Sequence, residues 1–152
     1  MKYSMRGNVD PFIVMDVMEN ARKAEESGRK IIHMEVGQPS TAAPSGALER
    51  TSQIIKSNPL GYTVALGLPD LRKKISNLYG RWYNLDIDPS RVIVTSGSSG
   101  AFILSFTALF EEGARVGIGA PGYPSYRQIL KSLGISPVDI VTNIKNKFQP
   151  TA

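Results

Sequence analysis

Two serines between two glycines are the residues of this chain best placed to do chemistry. The run Gly97-Ser98-Ser99-Gly100 follows a β-branched stretch and precedes an apolar one, which predicts a tight turn between a strand and a helix. The first N–H groups of a helix have no partner within it, and the helix dipole favours negative charge there. The run is therefore a candidate phosphate site. The competing interpretation is a plain turn in which Ser98 or Ser99 caps the helix.

The serine run matches neither of the two common nucleotide-binding motifs. It lacks the Gly-Lys-Ser/Thr ending of a P-loop and the Gly-x-Gly-x-x-Gly spacing of a dinucleotide site. A phosphate bound here would therefore belong to some other cofactor.

A second candidate is a tyrosine that follows the next predicted strand, in the stretch from Ala120 to Tyr126. Ligands of parallel sheets bind beyond the carboxyl ends of the strands, so Tyr123 is expected at the same rim as the serine run. An aromatic side chain in that position can stack on a flat ring. In the alternative interpretation, Tyr123 only packs at the start of the following helix.

Metal and thiol chemistry find no support in the composition. The chain has no cysteine and a single histidine, His33, which lies on a predicted short apolar strand and is interpreted as structural. We therefore expect no disulfide, no cysteine nucleophile and no zinc or other metal site.

Composition indicates a folded domain and excludes several classes of protein. Of the 152 residues, 41% are hydrophobic and 20% are charged, which excludes disorder. The net charge is +5, but the cations are scattered along the chain, so we expect no nucleic-acid partner. A membrane span needs roughly 20 apolar residues, and the sequence offers neither such a run nor a signal peptide. We expect a cytoplasmic protein without membrane contact.

The elements that must position these residues follow from the periodicity of the apolar side chains. The sequence predicts helices over residues 10–28, 47–56, 69–82, 101–110 and 126–133, and strands over 31–36, 92–94, 116–119 and 138–141. Helix 101–110 is apolar nearly all round and is expected to be buried. The β-α-β-α-β order favours an α/β fold of three layers, with helices on both faces of a mostly parallel sheet. Three strands leave that sheet incomplete at an edge, so we expect the chain to be the front portion of a longer one.

Taken in order, the segments resemble the N-terminal part of class I/II aminotransferases, which are fold-type I enzymes that depend on pyridoxal 5'-phosphate (PLP). The resemblance covers nearly the whole chain and rests on the order and spacing of several motifs. These are Val9 to Met18, Gly37-Gln38-Pro39, Gly61-Tyr62-Thr63 with Gly67-Leu68-Pro69, the run 95–101, Pro121 to Pro124, and Phe148 to Thr151.

The resemblance implies roles for individual residues. Four of them would hold the PLP phosphate: Gly97, Ser98, Ser99 and Gly100. Tyr123 would stack on the pyridine ring, and Tyr62 would reach across a dimer interface to the cofactor phosphate of the neighbouring subunit. The backbone of Gly37 would lie beside the substrate carboxylate. The implied reaction transfers an amino group between an amino acid and a 2-oxo acid.

The resemblance also implies a domain division and a gap in the chemistry. Residues 1–44 would be a segment of the small domain, and residues 45–152 the first part of the large PLP-binding domain. The family's Schiff-base lysine lies downstream of the phosphate turn, and neither Lys145 nor Lys147 matches its motif. We therefore assign no catalytic residue and expect the chain to be inactive alone. Apolar faces left without neighbours favour a homo-oligomer.

Two other functions stay open on the sequence. One is a self-contained α/β module that binds phosphate or a nucleotide through the serine run. The other is a non-catalytic interaction protein that pairs with a partner through an exposed sheet edge.

Overall fold

The computed structural model describes residues 4–151 and contains five α-helices and two β-strands in that range. In chain order these are α1 (Ile13–Glu26), α2 (Ser45–Ser57), α3 (Pro69–Tyr83), α4 (Gly97–Leu109), β1 (Arg115–Ala120), α5 (Pro124–Ser132) and β2 (Ser136–Val141). The chain divides into two compact units. The first comprises the described residues 4–36 and 96–151, and the second comprises Gly37–Thr95.

The first unit is built around a parallel pair of strands. Strands β1 and β2 pair in register from Arg115 opposite Ser136 to Ala120 opposite Val141. Helix α5 connects them and packs against both, with Leu130 fully buried. The predicted strands 116–119 and 138–141 and the predicted helix 126–133 are therefore confirmed. The α/β class with a parallel sheet is confirmed as well.

Two of the predicted strands do not form. Residues 31–36 and 92–94 contain no strand, so the sheet of the described chain has two strands rather than three. The backbone of Val92 is extended, but the N–H of Val94 donates to the carbonyl of Leu66, 3.0 Å away, outside any ladder. A β-branched run favours extended backbone, whereas a strand also needs a neighbour that offers a row of hydrogen bonds.

Helix α1 begins three residues later than predicted. Its N-cap is Phe12, which makes no side-chain cap, and Asp10 lies outside the helix. The carboxylate of Asp10 accepts a hydrogen bond from the ammonium of Lys131 on α5 instead. A long-range ion pair has therefore replaced the local cap that the sequence predicts.

Helix α4 is less buried than its composition indicates. It begins at Gly97, inside the predicted turn, and none of its residues is fully buried. The rings of Phe102 and Phe106 pack against neighbouring aromatic side chains, whereas Leu104 and Leu109 are 61% and 72% exposed. The expectation of a buried helix was wrong because burial needs a neighbour on every face. Among the helices and strands of the described chain, only α5 packs extensively against α4.

The second unit contains α2 and α3, which confirm the predicted helices 47–56 and 69–82. On α3 the hydroxyl of Ser76 is buried and donates to the carbonyl of Ile87. The guanidinium Nε of Arg72 donates to the carbonyl of Val92 at 2.8 Å. These bonds hold the chain after α3 against that helix. Within residues 4–151, no helix of either unit combines the length and apolar character that crossing a membrane requires.

Candidate functional site

The serine run forms the first turn of α4. Gly97 is the first helical residue, and its φ of +75° is one that a glycine adopts without strain. Ser98 and Ser99 therefore lie inside the helix, and the N-cap is Ser96, which makes no side-chain cap. The interpretation of Ser98 or Ser99 as the cap was wrong.

The first turn of α4 suits an anion. It carries no acidic side chain, and both of its serines are exposed. A methyl group added at Gly97 would meet no atom within 4 Å beyond its chain neighbours and the backbone of its own helix, so a ligand can approach this part of the backbone. The leading N–H groups and the helix dipole supply positive potential at this point, and hydroxyls add donors. The residues present fit a phosphate group.

Tyr123 lies at the start of α5, where it is the N-cap residue, and its side chain is 52% exposed. The preceding backbone turns sharply after β1, through a cis peptide bond between Ala120 and Pro121. Gly122 is required in this turn because a Cβ there would lie 2.3 Å from the carbonyl oxygen of Gly119. The loop thus presents the tyrosine at the carboxyl end of a strand, as predicted.

Aromatic contacts connect Tyr123 to α4. Its ring lies edge-to-face against Tyr126, with centroids 5.4 Å apart, and the Tyr126 ring contacts Phe102 of α4 at 4.4 Å. The first unit therefore brings the serine helix and the tyrosine loop together. The cavity beside Tyr123 has a volume of about 50 Å³, which is room for a water or two. A flat ring would have to stack on the exposed part of the tyrosine.

The other two candidates belong to the second unit. Tyr62 is fully exposed, with a relative accessibility of 109%. Gly37 is exposed as well and lies in neither a helix nor a strand. A side chain as open as Tyr62 is free to contact another molecule.

Sequence reasoning missed a contact on Tyr123. The ring of Phe12 lies edge-to-face against it, with centroids 6.4 Å apart and an interplanar angle of 83°. No local pattern predicts this pair, because Phe12 and Tyr123 are far apart in the sequence and Phe12 precedes the apolar stripe of α1.

The environment of His33 was also missed. Its Nδ1 lies 2.6 Å from the carboxylate of Glu35, and its Nε2 lies 3.0 Å from that of Glu25. Hydrogen bonds to Glu35 and then Glu25 raise the pKa of His33 from 6.5 to about 9. At neutral pH the imidazole is therefore a cation in a structural ion pair and is unavailable as a general base. Among the described residues, no group of acidic or histidine side chains could hold a metal ion.

Comparison with known proteins identifies the family. The sequence model of aminotransferase class I and II matches residues 29–152. The valine–pyruvate aminotransferase of Mycobacterium tuberculosis is 40% identical over 99% of this chain, and a solved aminotransferase structure from that organism superposes with a TM-score of 0.93 at 40% identity and 99% coverage. A solved protein from Silicibacter pomeroyi is 60% identical over 99% of the chain, with a TM-score of 0.85. The chain spans 39% of the length of its relative, and 39% and 38% of those two solved chains. The chain belongs to the class I and II aminotransferase family.

Proposed function

We propose that this chain supplies the phosphate-binding and ring-stacking part of a PLP-dependent aminotransferase. The family implies the cofactor and an amino group transfer between an amino acid and a 2-oxo acid. The observation that carries the proposal is the first turn of α4, where Ser98 and Ser99 are exposed and no acidic side chain is present.

Each candidate residue has a stated task in this proposal. Ser98 and Ser99 donate hydroxyl hydrogen bonds to the phosphate, and the backbone at Gly97 and Gly100 lets it approach. Tyr123 offers its exposed ring as a stacking surface. When bound, PLP supplies a conjugated ring that withdraws electrons from the amino-acid substrate. These residues hold and orient the cofactor, and none of them transfers a proton.

Two further parts of the proposal concern assembly and substrate. We place the exposed Tyr62 at the cofactor phosphate of a neighbouring subunit in a homodimer, and the backbone of Gly37 beside the substrate carboxylate. We assign residues 1–44 to the small domain and residues 45–152 to the large one. The 152 residues on their own contain no lysine in the family's motif, and we propose that they do not catalyse the transfer alone.

A titration with PLP tests the phosphate site. We expect saturable binding to the wild-type chain, competed by inorganic phosphate. Replacing both Ser98 and Ser99 with Ala should weaken binding at least about tenfold, because a hydrogen bond to a charged group contributes about 1.5 kcal/mol or more. Pyridoxal, which lacks the phosphate, should bind both proteins equally weakly, since it has no group for the two serine hydroxyls to hold.

Ser105→Ala is the matched control, because Ser105 is an exposed serine on the same helix two turns further on. It should leave the PLP affinity unchanged. Equal PLP affinity in the wild type and the double variant would contradict the phosphate site. After borohydride reduction, the intact mass should show no lysine adduct at one PLP per chain. Amino transfer by the purified chain would contradict the proposed inactivity.

A further inference from the structure

The residues before α1 form a strap across helix α5. This N-terminal strap, residues 4–12, includes a short 3-10 turn at Met5–Gly7 that packs against α5. Its Arg6 side chain pairs with Glu112 at 3.2 Å, between two largely exposed groups. The strap thus contacts α5 and the loop between α4 and β1, and it forms no strand.

Two side chains on one face of α5 hold Asp10 of the strap. The amide Nε2 of Gln128 donates to the backbone carbonyl of Asp10 at 3.1 Å, and the ammonium of Lys131 donates to its carboxylate. Residues three apart on a helix lie on the same face, so one stretch of α5 holds both the backbone and the side chain. The nearby Lys131 also holds the pKa of Asp10 below its ordinary value.

The anchored segment also carries Phe12. Phe12 is two residues beyond Asp10 and places its ring against Tyr123, edge-to-face at 6.4 Å. Tyr126, the other ring against Tyr123, belongs to α5 and is itself packed on Phe102 of α4. Of these two rings against Tyr123, one therefore belongs to α5, which packs on α4, and the other is supplied by the strap.

We propose that Phe12 is a positioning residue for the Tyr123 ring and that the Asp10 anchor on α5 holds it there. A half-exposed tyrosine with a single neighbouring ring would sample several rotamers, whereas two edge-to-face neighbours restrict it. The consequence for cofactor affinity rests on the proposed function, and the positioning itself does not. With the strap in place, Tyr123 is presented in one orientation to a stacking ring, which lowers the entropic cost of binding.

Fluorine NMR of the chain labelled with 3-fluorotyrosine tests the positioning directly. The chain has 6 tyrosines, and the Tyr123 line is the one missing from Tyr123→Phe. Phe12→Leu keeps the bulk and removes the ring, so it should shift the Tyr123 line and leave in place the lines of tyrosines outside the Tyr123–Tyr126 contact. Ile13→Ala is the control, because Ile13 is the next residue and is 71% exposed. It should leave the Tyr123 line unchanged.

Charge reversal tests the anchor. Asp10→Lys should shift the Tyr123 line in the same direction as Phe12→Leu, and adding Lys131→Asp should restore it. If Phe12 and Asp10 contributed only to general stability, these variants would change the melting temperature. The Tyr123 line would then not show the shift and its restoration. A Tyr123 line that stays in place in folded Phe12→Leu overturns the proposal.

Binding measurements separate this proposal from the proposed function. Phe12→Leu should raise the Kd for PLP about threefold or more and leave the Kd for inorganic phosphate unchanged, because phosphate contacts only the first turn of α4. If the wild type binds no PLP, the proposed function fails for these residues, and the Tyr123 line still decides whether the strap positions the ring. A shifted line with unchanged PLP affinity would overturn the link between strap and affinity.

Discussion

At the scale of single residues, the position of a serine within a helix turn decides what it can do. A serine at the N-cap uses its hydroxyl on the helix's own N–H groups. Ser98 and Ser99 lie one and two residues past Gly97, at the second and third helical positions, and both are exposed. This placement leaves them available to an external anion. The run of these four residues predicts a turn at a helix start, but it does not fix which residue begins the helix.

The His33 ion pairs predict a dependence of stability on pH. Hydrogen bonds to Glu35 and Glu25 raise the pKa of His33 from 6.5 to about 9. Because the folded value is the higher one, the stabilisation is complete below pH 6.5 and is lost as the pH rises through about 9. The pKa of Glu35 is lowered from 4.5, so its part is present above that value and is lost in more acidic solution.

The melting temperature of the wild type should therefore exceed that of His33→Gln most clearly near about pH 6, and the two should converge by about pH 10. Glu49→Gln is the control, since Glu49 is an exposed carboxylate on α2 remote in sequence from the pair. It should show no such convergence. A constant difference between wild type and His33→Gln from pH 6 to 10 would refute the ion-pair origin.

At the scale of the elements, local patterns predicted all five helices of the described chain but only two of the four predicted strands form. The stripe of Tyr126, Ile129 and Leu130 predicts α5 because a helix makes its hydrogen bonds within one segment. The runs 31–36 and 92–94 have the composition of strands, and yet neither finds a ladder partner among the described residues. Pairing depends on distant parts of the chain, which a local pattern does not contain. The contact of Phe12 with Tyr123 escaped prediction for the same reason.

Helix α4 also shows that a local pattern does not distinguish packed side chains from exposed ones. Its apolar residues occupy every face, so the sequence does not distinguish Phe102, packed against Tyr126 and Phe106, from the 61% exposed Leu104. We expect Phe102→Ala to lower the free energy of unfolding by about 2 kcal/mol, somewhat less than a fully buried phenylalanine would. Leu104→Ala should change it by no more than about 0.5 kcal/mol. Urea denaturation followed by circular dichroism measures both, and equal losses would show that α4 is covered on both faces.

At the scale of the whole molecule, the first unit exposes several large apolar side chains. On α4, Leu104 and Leu109 are 61% and 72% exposed, and on β2 Val141 is 84% exposed. Each of the two strands has a single neighbour among the described residues, which leaves a backbone edge able to accept another strand. Exposed apolar patches and open edges both favour association between copies. We therefore propose that the chain forms homo-oligomers through this unit.

Light scattering after size exclusion at micromolar concentration tests the association. We expect the wild type to elute as an oligomer and the pair Leu104→Lys with Leu109→Lys to shift toward the monomer mass, because it removes apolar surface from α4. The pair Ser105→Lys with Thr107→Lys adds the same charge to exposed positions of the same helix and should leave the oligomer intact. If both pairs dissociate it equally, repulsion between like charges is the cause rather than lost apolar contact. A monomeric wild type would mean that the apolar surface of α4 does not drive association at this concentration.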